Sequence, residues 1–318
     1  MDPDRIEAAA AGDGARQHRR LPEWLRRSLP AGNAHGSIRT LVDELRLHTV
    51  CQSARCPNQR ECWSRGAATF MIAGDRCTRS CRFCSVQTAP PLPLDAGEPA
   101  RVAEAAVRLG LRHVVITSVT RDDLEDGGAG HFQDVIRAVR DRLPDAVIEV
   151  LVPDFQDRPG SIAAVIAARP HVFNHNLETV RRLTPAIRSR ASYDRSLSVL
   201  ARAWKLGAPD LATKSGLMLG LGETEDEVLE AMRDLRSADV RILTLGQYLQ
   251  PTPANLPVAE YIAPDRFADL RAAALDMGFR RVAAGPLVRS SYRAADAWPG
   301  GAPAKVESNL CTDPKIKD

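Results

Sequence analysis

From residue 69 onward the chain alternates short apolar runs with amphipathic stretches, and this alternation narrows the choice of fold more than any other feature. The strand candidates are TFMIAG (69–74), HVVITSV (113–119), AVIEVLVPD (146–154), HVFNHNLE (171–178), ATKSGLML (212–219) and DVRILTLGQYLQ (239–250). Most are nearly continuous in Val, Ile, Leu and Thr, as strands buried on both faces should be. Between and after them lie helix candidates. The stretches 98–110 and 193–207 each close on a glycine, and 130–143 sets Phe132, Val135, Ile136 and Val139 on one face. The stretch 161–168 is short, 224–238 opens on Thr224 and Glu227 as a capping box, and 264–278 opens on Pro264. Six βα units in series predict an α/β protein with a parallel sheet. Polar residues gather after several different strand ends, which favours a partial (βα)6 TIM-like barrel over a doubly wound open sheet. The chain has no G-x-G-x-x-G turn and no G-x-x-x-x-G-K loop, so dinucleotide-binding and P-loop readings have no support.

Cysteine is the second constraint. Six of the seven cysteines fall between Cys51 and Cys84, and the seventh is Cys311. CQSARCPNQREC carries Cys51, Cys56 and Cys62; CTRSCRFC carries Cys77, Cys81 and Cys84. A secreted disulfide scaffold would be shorter and more evenly stapled, so two groups of three point to metal or cluster ligation in a reducing compartment. The second group follows the first strand candidate directly, where a barrel places its chemistry. Zinc asks for a fourth Cys or His nearby, and the next histidine, His113, falls inside a strand candidate. A [4Fe–4S] cluster held by three thiolates leaves one iron open for an outside ligand. Three buried structural cysteines are the bland alternative, and thiols seldom gather at this spacing for packing alone.

The net charge of +3 is too small and too dispersed to mark a nucleic-acid binder. With 44% hydrophobic and 26% charged residues the composition is that of a soluble globular enzyme. No apolar run approaches the roughly 18 residues of a membrane span. The opening MDPDRIEAAAAGDGARQHRR lacks a secretory signal's apolar core, and Asp2, Asp4, Glu7 and Asp13 suit a mitochondrial presequence poorly. The expectation is a cytoplasmic protein with no nucleic-acid or membrane partner.

CTRSCRFC resembles the CxxxCxxC loop of the radical S-adenosylmethionine enzymes. CQSARCPNQRECW, GDRCTRSCRFCSV, TSVTRDDLEDGGAGHF, NHNLETV, TKSGLMLGLGETEDEV, GQYLQPT and GPLVRSSY resemble lipoyl synthases, in that family's order, over roughly residues 38 to 295. The resemblance implies that Cys77, Cys81 and Cys84 hold a [4Fe–4S] cluster whose open iron binds S-adenosyl-L-methionine. Cleavage then yields a 5′-deoxyadenosyl radical. It implies that Cys51, Cys56 and Cys62 hold an auxiliary [4Fe–4S] cluster, with Ser290 of the RSSY motif as fourth ligand and Ser291 as the fallback. The implied reaction inserts two sulfurs at C6 and C8 of an octanoyl chain amide-linked to a carrier lysine, with the auxiliary cluster as sulfur donor. Another sulfur-inserting radical enzyme and a non-catalytic iron–sulfur electron carrier are the alternatives. Cys311 is the rival fourth ligand; its polar surroundings read better as an exposed thiol.

The resemblance also divides the chain into a tail (1–37), an auxiliary-cluster extension (38–68), the partial barrel (69–280) and a C-terminal closing segment (281–318). Residues expected at S-adenosylmethionine or substrate are Thr117 and Ser118 after the second strand, Asn174, Asn176 and Glu178 at the fourth, Lys214 at the fifth and Gln247 at the sixth. His175 reads as a structural histidine. Arg181, Arg182, Arg188 and Arg190 form a basic patch suited to an acidic carrier or to a solvated surface alike. Implied partners are an octanoylated lipoyl carrier protein or domain, a small reducing protein such as ferredoxin or flavodoxin, and an iron–sulfur assembly carrier. A monomer is expected. The sequence departs from the family's usual pattern at Gln52, Ser53, Ala89, Asp157 and Asn255, none of them a proposed ligand.

Overall fold

The computed structural model describes residues 21–26 and 34–297. Helix α1 (Ala34–Glu44) leads into a two-residue strand, β1 (His48–Thr49), and two short helices, α2 (Val50–Ser53) and α3 (Gln59–Ser64). Strand β2 (Thr69–Ile72) follows, and beyond it β3 (Arg76–Cys77) pairs with β4 (Gln87–Thr88) to close the second cysteine loop. The chain then runs α4 (Glu98–Arg108), β5 (His113–Ser118), α5 (Ala129–Arg142), β6 (Val147–Leu151), α6 (Pro159–Ala167) and β7 (Val172–Asn174). It continues through α7 (Thr184–Ile187), α8 (Tyr193–Gly207), β8 (Ala212–Leu219), α9 (Glu225–Ser237), β9 (Ile242–Gln247), α10 (Pro264–Asp276) and β10 (Arg281–Gly285).

The main sheet has the order β1-β2-β5-β6-β7-β8-β9-β10. β1 is antiparallel to β2, and every other neighbour pair is parallel. Strands that add in sequence order through right-handed crossovers put all their helices on one face, so the sheet curls around the other. The two edges, β1 and β10, do not pair, and the result is a mixed α/β fold with a partial, barrel-like sheet and a helical N-terminal region. All six expected strands are present. Two further strands join them. β10 (RVAAG) is too small-residued to announce itself as an apolar run, and β1 is a dipeptide recruited by pairing with Phe70 and Met71. β10 therefore belongs to the sheet although the sequence division placed it in the closing segment. Helix α1 likewise begins before residue 38 and buries Ile38, Leu41 and Val42.

Local signals explain the helix ends. Thr224 accepts from the Glu227 N–H while the Glu227 carboxylate accepts from the Thr224 N–H, the capping box expected from sequence. Ser192 caps α8 through the Arg195 N–H, and proline sits in the first turn of α4, α6 and α10. The helices bury one face against the strands: Phe132, Val135, Ile136 and Val139 of α5 are fully enclosed. Among the described residues no helix is long and apolar enough to cross a membrane.

Candidate active site

A cavity of about 680 Å³ opens at the C-terminal ends of the barrel strands. Cys51 and Cys56 from the first cysteine group, Cys77, Cys81 and Cys84 from the second, and Ser290 and Ser291 from the closing segment all line it. All six cysteines of the two groups are free thiols.

The second cysteine loop is shaped by protein groups from four directions. Thr78 donates its N–H and its hydroxyl to the Thr120 carbonyl, at 3.1 and 3.0 Å, and its oxygen accepts from the Asp122 N–H at 3.1 Å. Arg79, between Cys77 and Cys81, turns inward and donates to both Asp122 oxygens and both Asp154 oxygens at 2.7–2.9 Å. Burial works against its charge, but the two carboxylates outweigh burial and raise its pKa. Arg79 in turn holds the Asp154 carboxyl below the usual carboxylate range despite burial. The Arg82 N–H donates to the Ile187 carbonyl, and Asn255 Nδ2 donates to the carbonyls of Cys84 (2.9 Å) and Arg82 (3.2 Å). Burial pushes the Cys84 thiol up to about 12 and raises Cys81, where nearby Arg188 works the other way. Such thiols stay protonated until a cation binds among them and releases the proton.

In the first group, Thr49 caps α2 and the Cys56 N–H donates to the Cys51 carbonyl at 3.0 Å, closing a tight turn. Burial raises the Cys51 thiol. Cys62, on α3, packs against the apolar core and does not line the cavity. The closing segment lies against this group: Asn58 Nδ2 donates to the Leu287 carbonyl at 2.6 Å, and the Tyr292 hydroxyl donates to Glu61 at 2.9 Å. Ser85 Oγ donates to the Ser53 carbonyl at 2.8 Å, joining the two cysteine groups directly.

Among the described residues, no three His, Cys, Asp or Glu side chains converge on a single ion position. The thiol donors of the two groups are of the soft type that iron–sulfur clusters take.

The expected cofactor residues divide. Thr117, Ser118, Asn176 and Glu178 line the cavity. Thr117 spends its proton on the Leu151 carbonyl (2.8 Å), leaving its oxygen to accept, and Asn176 Oδ1 is buried without a partner. Burial raises the Glu178 carboxyl, against Arg188 and the Asn176 amide. Gln247 also borders the cavity, but its amide donates to the carbonyls of Leu219, Tyr248 and Glu260 and its oxygen accepts from the Ile262 N–H. It is a clamp for the loop after β9, not a free contact. Asn174 and Lys214, expected at the cofactor, are not among the residues that line the cavity. Lys214 Nζ donates to Glu149 at 2.7 Å in the barrel interior, Asn174 Nδ2 lies 3.3 Å from the same oxygen, and His113 meets the other at 3.1 Å. Burial opposes ionisation of Glu149, yet Lys214 and His113 hold its carboxyl below the ordinary range.

His175 also lines the cavity, and both its ring nitrogens are engaged by the protein. Its Nδ1 lies 2.9 Å from the Val152 carbonyl, which can only accept, so Nε2 takes the Ser196 hydroxyl at 3.0 Å. Burial lowers its pKa to about 4. Arg188 is not part of a surface patch. It is buried, lines the cavity beside Cys81 and Glu178, donates to the Leu177 carbonyl and Ser196, and leaves Nε without a partner. Arg181 and Arg182 are engaged by Asp194 (2.6 Å) and Glu227 (2.7 Å). Sequence reading missed Arg79, Asp154 and Asn255 as shapers of the site; an arginine between two cluster cysteines and an acid at a strand end were the available signals. Cys311 lies outside the described residues.

Residues 71–235 match the radical SAM superfamily, and residues 7–56 match the N-terminal domain of lipoyl synthase. The chain is 58% identical over 278 residues to a lipoyl synthase of Thermus thermophilus, covering 87% of this chain and 86% of the other. It is 57% identical over 281 residues to one from an Anaeromyxobacter species, covering 88% and 95%. The chain belongs to the lipoyl synthase family. Lipoyl synthase activity is a radical S-adenosylmethionine sulfur transfer, placing two sulfurs at C6 and C8 of a protein-bound octanoyl-lysine. Membership carries with it the use of S-adenosylmethionine and iron–sulfur chemistry, and a lipoyl carrier as substrate. Among solved structures, methylornithine synthase is similar in fold, with a TM-score of 0.51 at 14% identity over 80% of this chain and 82% of that one.

Proposed function

We propose that this lipoyl synthase works with two [4Fe–4S] clusters in one cavity. Cys77, Cys81 and Cys84 hold the first, with one iron left for S-adenosylmethionine; Cys51, Cys56, Cys62 and Ser290 hold the second. When bound, the first supplies the electron that cleaves the sulfonium and the second supplies the sulfur. The observation that carries the reading is the meeting of five cysteines and Ser290 on one cavity. Cys62, the remaining proposed donor, sits on α3 between the anchored Glu61 and the apolar core.

The chain's own groups bind, orient and exclude water. Thr117 and Ser118 present oxygens to the cofactor's ammonium group, and Asn176 Oδ1 offers a buried acceptor. Arg188 offers a buried cation with a spare N–H to its carboxylate. Met71, Val119, Leu151 and Met218 give the octanoyl chain an apolar wall. Held between both cysteine groups, the acyl carbons gain by position what a general base supplies elsewhere.

The six units from β2 to α10 form a (βα)6 core across 69–280, with 38–68 as the auxiliary extension and the residues that follow β10 as the closing segment. An octanoylated carrier enters at the mouth, ferredoxin or flavodoxin delivers electrons, and an assembly carrier refills the second site, in a cytoplasmic monomer. Anaerobic reconstitution tests the reading: it expects about eight iron and eight sulfide per chain. Loading near four of each, with full sulfur insertion, would contradict it.

A further inference from the structure

The segment bearing Ser290 is docked by contacts that involve no cluster. After β10 the chain turns, with the Val288 N–H donating to the Gly285 carbonyl at 3.0 Å and the Gln247 N–H to the Pro286 carbonyl at 3.3 Å. This turn lies directly on Gly246 of β9, where a Cβ would run into the Val288 carbonyl oxygen. Asn58 Nδ2 then grips the Leu287 carbonyl at 2.6 Å. Tyr292 closes a second turn through its N–H to the Arg289 carbonyl (3.0 Å), and its hydroxyl reaches Glu61 at 2.9 Å. Asn58 and Glu61 both stand between Cys56 and Cys62, so the stretch separating two proposed ligands holds the segment that carries another.

We propose that Asn58, Glu61 and Tyr292 are positioning residues that present Ser290 to the auxiliary site before any iron arrives and keep it there after the cluster is spent. The proposal rests on Ser290 as the fourth ligand. Ser290 lies three residues after one anchor and two before the other, and a span that short cannot leave the mouth unless an anchor breaks. An oxygen donor holds iron less firmly than a thiolate, so a serine recruited only by the metal would be lost with it. A serine held by its neighbours stays, and the site remains ready for refilling.

Hydrogen exchange of the 287–292 amides in the iron-free full chain tests this, followed by anaerobic loading read as iron content and absorbance. Wild type and Ser290→Ala should exchange alike and slowly. Asn58→Ala combined with Tyr292→Phe should exchange faster, by about tenfold for each bond removed. Glu61→Gln retains an oxygen for the Tyr292 hydroxyl and should stay slow. On loading, the double variant should take up the second cluster's iron more slowly than wild type. Exchange in iron-free wild type as fast as in the double variant, with slowing only after loading, would overturn the proposal. The ligand reading fails separately, if Ser290→Ala loads the same iron with an unchanged spectrum, because the docking of the segment is decided by exchange alone.

Discussion

The Ser85 hydroxyl donates to the Ser53 carbonyl at 2.8 Å, joining the residue after Cys84 to the turn that follows Cys51. Through this bond the two cysteine groups, far apart in role, share one wall of one cavity. Their separation is therefore set partly by the protein and not by the clusters alone. Ser85→Ala should cost the iron-free protein about 1 kcal/mol in urea unfolding. In the loaded protein it should change the magnetic coupling between the reduced clusters; unchanged coupling would mean that the bond does not set their spacing.

Arg79 is the internal brace of the radical-cluster loop. Its side chain is 5% exposed, and Asp154, which it pairs with, is fully enclosed. Arg79→Met would leave Asp154 buried with the Gln156 N–H at 3.0 Å and, as its only ion pair, the longer contact from Arg195 at 3.4 Å. The expected loss is roughly 3–5 kcal/mol, because removing one partner strands the other's charge. Arg79→Lys should recover part of the stability but not the planar four-bond geometry, so its first cluster should load incompletely. The readouts are denaturant unfolding and iron content.

His175 makes stability depend on pH. Its folded pKa is lowered to about 4, below the ordinary value of about 6.5, so between these values the unfolded chain binds the extra proton. Stability is then present above about pH 6.5 and is lost as pH falls toward 4. Between pH 7 and pH 5 the loss attributable to this residue should be roughly 2 kcal/mol. His175→Gln should flatten that part of the profile, and an unaltered slope would remove His175 as its source.

Lys214 is anchored by Glu149 inside the barrel and stands off the cavity wall. Lys214→Met should destabilise the fold by roughly 3 kcal/mol, since it leaves the buried Glu149 carboxylate with only His113 and the Asn174 amide. Folded protein should keep its affinity for S-adenosylmethionine. Asn176→Ala should do the reverse, weakening cofactor binding about tenfold with little loss of stability. Calorimetric titration of both variants separates the two outcomes.

That pair shows where sequence reading stops. Strand periodicity located six of the parallel strands, because runs such as HVVITSV must be buried on both faces. It did not locate β10, whose small residues gain their strand character from pairing with β9. Thr117, Asn176 and Glu178 were legible because strand ends open into the cavity. Lys214 looked equivalent, but which face of a strand a side chain takes, and whether an acid waits there, is set by neighbouring strands. Glu149 comes from β6 and meets Lys214 only when the sheet curls. Arg188 failed in the opposite sense: among other arginines it looked like surface, and the turn after α7 carries it inward beside Cys81.

Radical generation belongs to the second cysteine group and sulfur donation to the first in the proposed reaction. The most direct measurement loads the protein with isotopically heavy sulfide and supplies S-adenosylmethionine, a reductant, an octanoyl-lysyl peptide and only light sulfide in solution. The peptide's mass is then read. If the first group is the sulfur source, both inserted sulfurs are heavy and each chain forms no more than one product without reloading. Light sulfur in the product would contradict it.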